Sequence, residues 1–367
     1  MKKFMIIAVA IAMCMAIAAP AMAKYTVGAK MLTTTGYKST SEERTASGND
    51  VTTFWASVEG HSRLFVSFVN AAKDTGGHVE LGLSSYTSAS VSLRHVYGWY
   101  KVGNCKFLAG HTDNWFGTLA FAPSQNVSVT PHLKLLFIDW GSQWGVRRPQ
   151  LSFTYMSGGF GFQFGIAQPL DTAITGWSGG DLYNTIPEIF LAIQFRAGGF
   201  ATIPSFSWTR YEYEGLTGNT EDSVDGWAFI FPMKFNVGPV SIRFAVHYMK
   251  NPGLVPVANW ADGANANPVM VGTSFQETTQ TGGNLALHYY AGAFKMYAGV
   301  GMEKLENDAW EKKDYTRIAY FIACRYSVTK NFFINPEFGY YDYGDDETTG
   351  YDNGNEWVLG ALFAFAF

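Results

Sequence analysis

The chain has 367 residues, of which 26 are lysine or arginine and 30 are aspartate or glutamate. Charged residues make up only 15% of it and aromatic residues 16%, whereas a soluble domain typically has about 25% charged residues. The acidic balance argues against a nucleic-acid-binding protein. Three cysteines are too few to imply a disulfide framework.

The N-terminus has the pattern of a secretory signal peptide. Two lysines precede an apolar stretch at residues 4–19, and a small-residue cleavage site ends at Ala23. We expect residues 1–23 to be removed and residues 24–367 to form one domain. No stretch of that domain predicts a membrane-spanning helix, because the long uncharged stretches are broken by Gly, Gln and Pro. An exported chain that is rich in aromatic residues and poor in charge favours a transmembrane β-barrel.

Apolar and polar side chains alternate along much of this domain, which predicts strands whose side chains point to opposite faces. In residues 239–250 (PVSIRFAVHYMK), one face is aliphatic and aromatic, and the other carries Ser241, Arg243 and His247. Sixteen antiparallel strands can be placed in this way. They are 24–35, 51–70, 78–86, 90–101, 105–111, 146–157, 159–168, 186–197, 200–213, 225–235, 239–250, 279–291, 294–304, 315–327, 332–343 and 355–367.

The predicted connections alternate in length. Short turns such as Gly158-Gly159 alternate with long loops, and only the connection 87–89 breaks the rule. Short turns at one end, long loops at the other and an even strand number are typical of outer-membrane barrels. The predicted long loops are 36–50, 112–145, 169–185, 214–224, 251–278, 305–314 and 344–354.

Basic residues concentrate in the predicted strands and short turns, whereas acidic residues concentrate in the long loops. A lipid-facing arginine costs about 2–4 kcal/mol at the bilayer centre, so the strand arginines are expected to face a wet lumen. They either set a field that favours anions or form ion pairs with Glu59, Glu80 or Glu337 within the barrel wall. The candidate pore-lining residues are Arg63, Arg94, Arg148, Arg243, Arg317, Arg325, Glu59, Glu80 and Glu337.

Other classes of site have less support. The seven histidines are scattered and form no metal-ligand spacing. A catalytic triad is not indicated, although spacing alone does not exclude one. Cys105 and Cys324 are predicted on strands five and fourteen, which lie far apart around a barrel, so free thiols are expected.

Four segments between residues 62 and 116 carry a family pattern: SRLFVSFVN (62–70), GGHVELGL (76–83), LRHVYGWY (93–100) and NCKFLAGHTDNWF (104–116). They resemble Gram-negative porins of the general-diffusion type. The resemblance implies a 16-stranded outer-membrane barrel, short periplasmic turns, long extracellular loops and a homotrimer. It also implies that the third loop, 112–145, folds into the lumen and narrows it.

That third loop departs from the family pattern, because it lacks the expected acidic turn. Its full charges are Asp113, Lys134 and Asp139, which are the candidate constriction residues. An apolar run at 133–140 keeps open a substrate-selective channel as an alternative.

The C-terminus also resembles the family. Its last strand, 355–367, can pair with the first strand, 24–35, and so close the sheet. The aromatic residues of this strand alternate onto one face, and in porins such an ending is a signal for the outer-membrane assembly machinery. The residues that match are Trp357, Phe365 and Phe367.

The expected function is therefore passive diffusion of small hydrophilic solutes through an outer-membrane pore, with a mild preference for anions. A substrate-selective channel and a barrel-borne surface enzyme or adhesin are the alternatives, and we expect no enzymatic activity. Membrane lipid and lipopolysaccharide are the expected surroundings. No cofactor is expected, apart from a divalent cation that could link acidic outer loops to lipopolysaccharide phosphates. Those loop residues are Glu42, Glu43, Glu221, Asp222, Asp345, Asp346 and Glu347.

Overall fold

The structure is a computed structural model of the whole chain. It describes residues 24–44, 48–58, 62–84, 90–116, 147–170, 181–184, 186–214, 223–255, 268–271, 274–309, 314–345 and 352–367. The predicted signal peptide lies outside the described residues, so its removal stays a prediction.

Within these ranges the chain is almost entirely β-structure, with two short 3-10 turns at Glu42–Arg44 and Pro252–Leu254. The strands are β1 (Lys24–Thr40), β2 (Val51–Val58), β3 (Ser62–Val69), β4 (Thr75–Ser84), β5 (Ser90–Val102), β6 (Cys105–Thr112), β7 (Arg148–Ser157), β8 (Phe160–Ala167), β9 (Asp181–Tyr183), β10 (Glu188–Ala197), β11 (Phe200–Thr202), β12 (Ser205–Glu214), β13 (Ser223–Val237), β14 (Val240–Lys250), β15 (Val269–Val271), β16 (Ser274–Gln276), β17 (Thr278–Ala291), β18 (Phe294–Asn307), β19 (Asp314–Thr329), β20 (Phe332–Asp342) and β21 (Asn355–Ala366).

All of these strands except β15 and β16 belong to one closed antiparallel sheet. The strands β2 and β3 both pair with β1 and occupy one position, as do β9 with β10 and β11 with β12. The sheet therefore has sixteen positions around a barrel. The fold class predicted from the sequence is confirmed. Among the described residues, no helix is long and apolar enough to span a bilayer.

Side chains alternate between the two faces of the barrel as the sequence patterns predicted. On β14, Ile242, Val246 and Tyr248 are exposed outward, whereas Ala245 and His247 are buried inside. The outer face is apolar along the other strands as well, since exposed large apolar residues are found on most of them. A closed sheet with an apolar outside satisfies its backbone groups in lipid.

The last strand closes the barrel against the first. The β1–β21 register runs from Lys30 opposite Ala366 to Thr40 opposite Glu356. The terminal Phe367 continues this pairing, because its N–H donates to the Ala29 oxygen at 2.9 Å and its oxygen accepts from the Ala29 N–H at 3.2 Å. The predicted pairing of the tail with the first strand is confirmed, and both sheet edges are thereby removed.

Four predicted elements differ from the structure by more than three residues at one end, by an interruption or by an added hairpin. The strand predicted at 24–35 extends to Thr40, because its polar last residues pair with both β2 and β21. The strand predicted at 51–70 is described as two pieces, β2 and β3, with residues 59–61 outside the described part. The strand predicted at 200–213 is interrupted at Ile203-Pro204, since proline has no N–H to donate to the sheet. The loop predicted at 251–278 contains the β15–β16 hairpin.

Candidate functional site

An ion-pair cluster inside the barrel is centred on Glu80 of β4. The Arg94 Nε donates to Glu80 Oε1 at 2.8 Å, and Arg63 Nη1 lies 3.3 Å from the same oxygen. The side chains of Glu80 and Arg94 are 5% and 8% exposed, whereas that of Arg63 is 23% exposed. One carboxylate therefore holds two guanidinium groups, and the more exposed of them is available to a solute in the lumen.

Two histidines extend this cluster towards the third loop. The His78 Nε2 lies 3.6 Å from Glu80 Oε2. The His95 Nε2 lies 3.8 Å from Glu80 Oε1 and 3.8 Å from Asp113 Oδ2. The remaining ring nitrogen of each histidine contacts a hydroxyl, at 2.7 Å for His78 and 2.9 Å for His95. These contacts fix both imidazole rings against the wall.

Two further cations, Lys30 and Arg147, complete what we call the Glu80 cluster. Lys30 lies directly opposite Arg63 in the pairing of β1 with β3. Arg147 precedes β7 and interacts electrostatically with Asp113. The cluster thus places the four cations Lys30, Arg63, Arg94 and Arg147 around the two carboxylates of Glu80 and Asp113. The resulting field is positive and attracts anions.

Asp113 lies just beyond the end of β6 and outside the strands. Burial raises the pKa of its carboxyl, and the neighbouring Arg147 guanidinium opposes that rise. The side chain is still 38% exposed, so lumen water reaches it. A raised pKa means that Asp113 begins to lose its negative charge at a higher pH than an ordinary aspartate does.

The third loop enters the lumen directly after Asp113. The Trp115 N–H donates to Gln163 Oε1 on β8 at 2.7 Å. The Phe116 side chain is only 2% exposed and packs against the inner face of β13 and β14. Since β6 and β13 are not neighbours in the sheet, the chain crosses the interior to reach this place. Phe116 and its neighbours form what we call the dry cluster: Phe116, Ala228, Ile230, Ala245, Met249 and Val255.

The resemblance to porins correctly implied this entry of the third loop, for the residues up to 116. Lys134 and Asp139, the other two candidate constriction residues, lie outside the described part of the chain. Their role stays a prediction.

Two of the candidate arginines are buried against carboxylates in the wall. Arg317 has no accessible side-chain surface, and its Nε and Nη2 donate to Glu303 Oε2 at 3.0 and 2.6 Å. Arg148 forms an ion pair with Glu188, and both side chains are almost fully buried. These contacts favour the ion-pair interpretation over pore lining for Arg317 and Arg148. The expected partners were different, because the prediction named Glu59, Glu80 and Glu337.

The remaining candidates are spread around the inner wall. Arg243 and Arg325 are half-buried on β14 and β19, towards the short turns. Glu337 is 7% exposed on β20, where Asn335 Nδ2 lies 3.5 Å from its Oε2. Glu59 lies outside the described residues.

The acidic loop residues are only partly described. Glu42 and Glu43 are exposed in the 3-10 turn after β1. The backbone of Asp345 forms an isolated antiparallel β-bridge with that of Asp352, between β20 and β21. Glu221, Asp222, Asp346 and Glu347 lie outside the described residues. Cys105 on β6 and Cys324 on β19 are free thiols, as predicted.

Sequence reasoning missed Lys30, Arg147 and the two histidines as members of one cluster. Lys30 could have been placed on the inner face by counting back from Leu32, which is 3% exposed. Arg147 lies within the predicted strand 146–157, but alternation does not indicate which loop residue it meets, so only the structure brings it to Asp113.

Comparison with solved structures finds the same architecture in outer-membrane proteins. The outer membrane channel DcaP of Acinetobacter baumannii has a TM-score of 0.74 at 16% identity, covering 95% of this chain and 99% of that chain. An anion-selective porin from Comamonas acidovorans has a TM-score of 0.63 at 12% identity, covering 94% of this chain and 100% of that chain.

OmpT, an outer membrane protein of Vibrio cholerae, in its trimer form, has a TM-score of 0.60 at 14% identity, covering 94% of this chain and 99% of that chain. No protein-family model matches the sequence, and no curated protein matches it. The chain has the closed 16-stranded barrel fold of outer-membrane porins and channels.

Proposed function

We propose that this chain is an outer-membrane porin through which small hydrophilic solutes and ions diffuse passively, with a preference for anions. The observation that carries the proposal is the Glu80 cluster, which places four cations and two carboxylates on the inner wall of a closed barrel. Charges that line a pore act on every permeant ion. A net positive wall lowers the free energy of an anion in the pore and raises that of a cation.

A substrate-selective channel is the second candidate, and the dry cluster favours it. Phe116, Ile230 and Met249 are nearly or fully buried against each other inside the barrel. They fill lumen space beside β13 and β14, so the open path is restricted to the remaining wall. A restricted path along basic residues would discriminate between solutes more strongly than a wide pore does.

The location and assembly follow from the same proposal. The apolar outer face fits a bilayer, and the structural neighbours are named as outer-membrane proteins. We infer an outer-membrane location, insertion by the outer-membrane assembly machinery and a homotrimer, the last supported by the trimer form of the Vibrio protein.

We also propose that the chain is a channel and not an enzyme. The basic cluster in the lumen suits passage of solutes. Screening the purified protein for lipase and protease activity tests this point, and activity that survives repurification of the barrel would contradict it.

The acidic outer loops are proposed to contact lipopolysaccharide through divalent cations. Carboxylates such as those of Glu42 and Glu43 are exposed at the long-loop end and suit hard cations. Chelation should then lower the heat stability of the native oligomer. An unchanged stability would contradict this contact.

Passive diffusion is tested by swelling of liposomes that contain the purified protein. Neutral sugars of increasing size should enter at rates that fall smoothly with size and rise in proportion to concentration. Saturation of the rate by one solute would favour the substrate-selective channel. Absence of swelling with every small solute would contradict both candidates.

A further inference from the structure

A second group of cations lies inside the barrel, apart from the Glu80 cluster and close to the short turns. Lys234 on β13 lies directly opposite Arg243 on β14, and Lys295 on β18 lies directly opposite Arg325 on β19. Like charges directly opposite each other destabilise a sheet. These two pairs therefore lower the stability of the barrel. A function such as binding an anion would account for their presence.

Two tyrosines contact the arginines of these pairs. The Arg243 guanidinium interacts with the Tyr290 phenol, and the Arg325 guanidinium interacts with the Tyr297 phenol. Tyr297 also interacts electrostatically with Arg243. The phenols are neutral, so they orient the two guanidinium groups without cancelling their charge.

His288 contacts both of these tyrosines, and Lys295 lies near one of them. The His288 Nδ1 lies 3.3 Å from the Tyr290 hydroxyl, and its ring lies edge-on to Tyr297 at 4.9 Å between centroids. The Lys295 Nζ lies 5.6 Å from the centre of the Tyr290 ring. His288 is 1% exposed, so it acts as a buried support that positions both phenols.

The two arginines can act on one small ligand. Their strands, β14 and β19, are three sheet spacings apart, and the register places Arg243 level with Gly299 on β18, four residues from Lys295, which lies opposite Arg325. The two backbone positions are therefore about 20 Å apart at the usual strand dimensions. Arginine side chains are long, and both guanidinium groups interact electrostatically with Tyr297, which lies on β18 between them. The four cations of the two pairs are half-buried, so water in the lumen reaches them.

We propose that this group, the turn-side site, binds a small oxyanion that carries two negative charges. Guanidinium groups hold oxyanions through paired hydrogen bonds, and the phenol hydroxyls are further donors. Lys234 and Lys295 add charge that a doubly charged anion offsets better than chloride does. The turn-side site is Lys234, Arg243, His288, Tyr290, Lys295, Tyr297 and Arg325. The inference rests on the proposed function, because the anion must reach the site through the lumen.

Lys30 connects the turn-side site to the Glu80 cluster. It interacts electrostatically with Arg63 of the cluster and with Arg325 of the site. The positive charge of Lys30 therefore lies between the two groups, and in the proposed function they act in series along one path.

Binding of inorganic phosphate to the purified protein in detergent tests the site. At about pH 8 phosphate carries mainly two charges, and isothermal titration should give one saturable site per chain. Arg243→Gln and Arg325→Gln each remove a charged hydrogen-bond donor, so each should weaken binding about tenfold. Lys304→Gln is the matched control, because Lys304 lies on the same strand as Lys295 but pairs with Glu306 on the outer face.

The possible results distinguish a failure of the proposed phosphate site from a failure of the proposed channel function. Saturable binding that both arginine variants weaken and Lys304→Gln leaves unchanged supports the site. No saturable binding by the wild type, or equal binding by all variants, overturns it. If Arg243→Gln does not fold, Arg325→Gln and Lys295→Gln give the same test. Phosphate binding in detergent needs no conduction, so a protein that binds phosphate but forms no channel would overturn only the proposed function.

Discussion

Lys30 on β1 lies directly opposite Arg63 on β3, so two cations face each other across the first strand pair of the barrel. Lys101–Lys106, Lys234–Arg243 and Lys295–Arg325 repeat this arrangement near the short turns. At the long-loop end one directly opposite pair, Glu306 and Asp314, is acidic instead. The basic pairs therefore lie towards the short turns, and that part of the barrel holds the proposed anion path.

Glu80→Gln should increase the preference for anions, because Glu80 is the carboxylate that offsets Arg63 and Arg94. Removing one charge about 7 Å from a permeant ion changes its energy by about 0.6 kcal/mol in water, which is about threefold in a permeability ratio. Reversal potentials of the wild type and variant in the same salt gradient measure the ratio.

Glu306→Gln provides the control for that change. It removes the same charge from the outer face of β18, where Glu306 pairs with Lys304 at 2.7 Å. Equal reversal potentials for the wild type and both variants would mean that the Glu80 cluster does not set ion selectivity.

Phe116→Ala should widen the pore and destabilise the protein. Phe116 is the point at which the third loop is anchored in the dry cluster, and truncating a buried phenylalanine costs about 3–5 kcal/mol. Single-channel conductance should rise and the unfolding temperature should fall. Phe107→Ala is the control, since Phe107 is 49% exposed on the outer face of β6. Unchanged conductance in Phe116→Ala would show that the loop base does not restrict the path.

Deleting Phe367 should impair assembly far more than it changes conductance. The deletion removes both hydrogen bonds to Ala29 at the closure of the barrel. Phe367→Ala keeps those backbone bonds and removes only the side chain, which is 77% exposed. A defect in both variants identifies the side chain as the assembly signal, and a defect in the deletion alone identifies the backbone closure. Normal assembly of the deletion would contradict the role given to the tail.

Acidification should increase the anion preference through Asp113. Burial raises the pKa of this carboxyl, so on going from neutral pH down to about pH 3.9, the pKa of an ordinary aspartate, Asp113 loses its negative charge earlier than an ordinary aspartate does. Loss of the negative charge leaves Arg147 less compensated, and the pore becomes more positive. Reversal potentials measured across this pH range check the expectation.

Asp113→Asn should remove that pH dependence while having the anion preference of the acid form at neutral pH. His95 lies 3.8 Å from Asp113 and gains a positive charge when it is protonated, so His95→Gln is the second variant. A pH response that persists in Asp113→Asn but vanishes in His95→Gln would assign the effect to the histidine.

Much of the fold followed from side-chain alternation. The inner and outer faces of β14 and β21 are those that the sequence indicated, because the alternation of a half-buried strand fixes which face each residue joins. The interruption at Pro204 and the extension of β1 to Thr40 were missed. They depend on hydrogen bonds with neighbouring strands and not on the apolar pattern.

The site was less predictable than the fold. Alternation placed Arg317 and Arg63 on the same kind of face, yet Arg317 is buried against Glu303 whereas Arg63 remains partly exposed. The difference comes from the register between adjacent strands, since Glu303 is directly opposite Arg317. Alternation fixes the face of each residue but not this register, so a single sequence does not specify which arginine is neutralised.

The central claim is an anion-preferring pore, and the reversal potential of single channels in a potassium chloride gradient tests it most directly. The positive field of Lys30, Arg63, Arg94 and Arg147 predicts stepwise conductance with a reversal potential displaced towards the chloride equilibrium potential. A displacement towards the potassium equilibrium potential, or no stepwise conductance from correctly folded protein, would contradict the account.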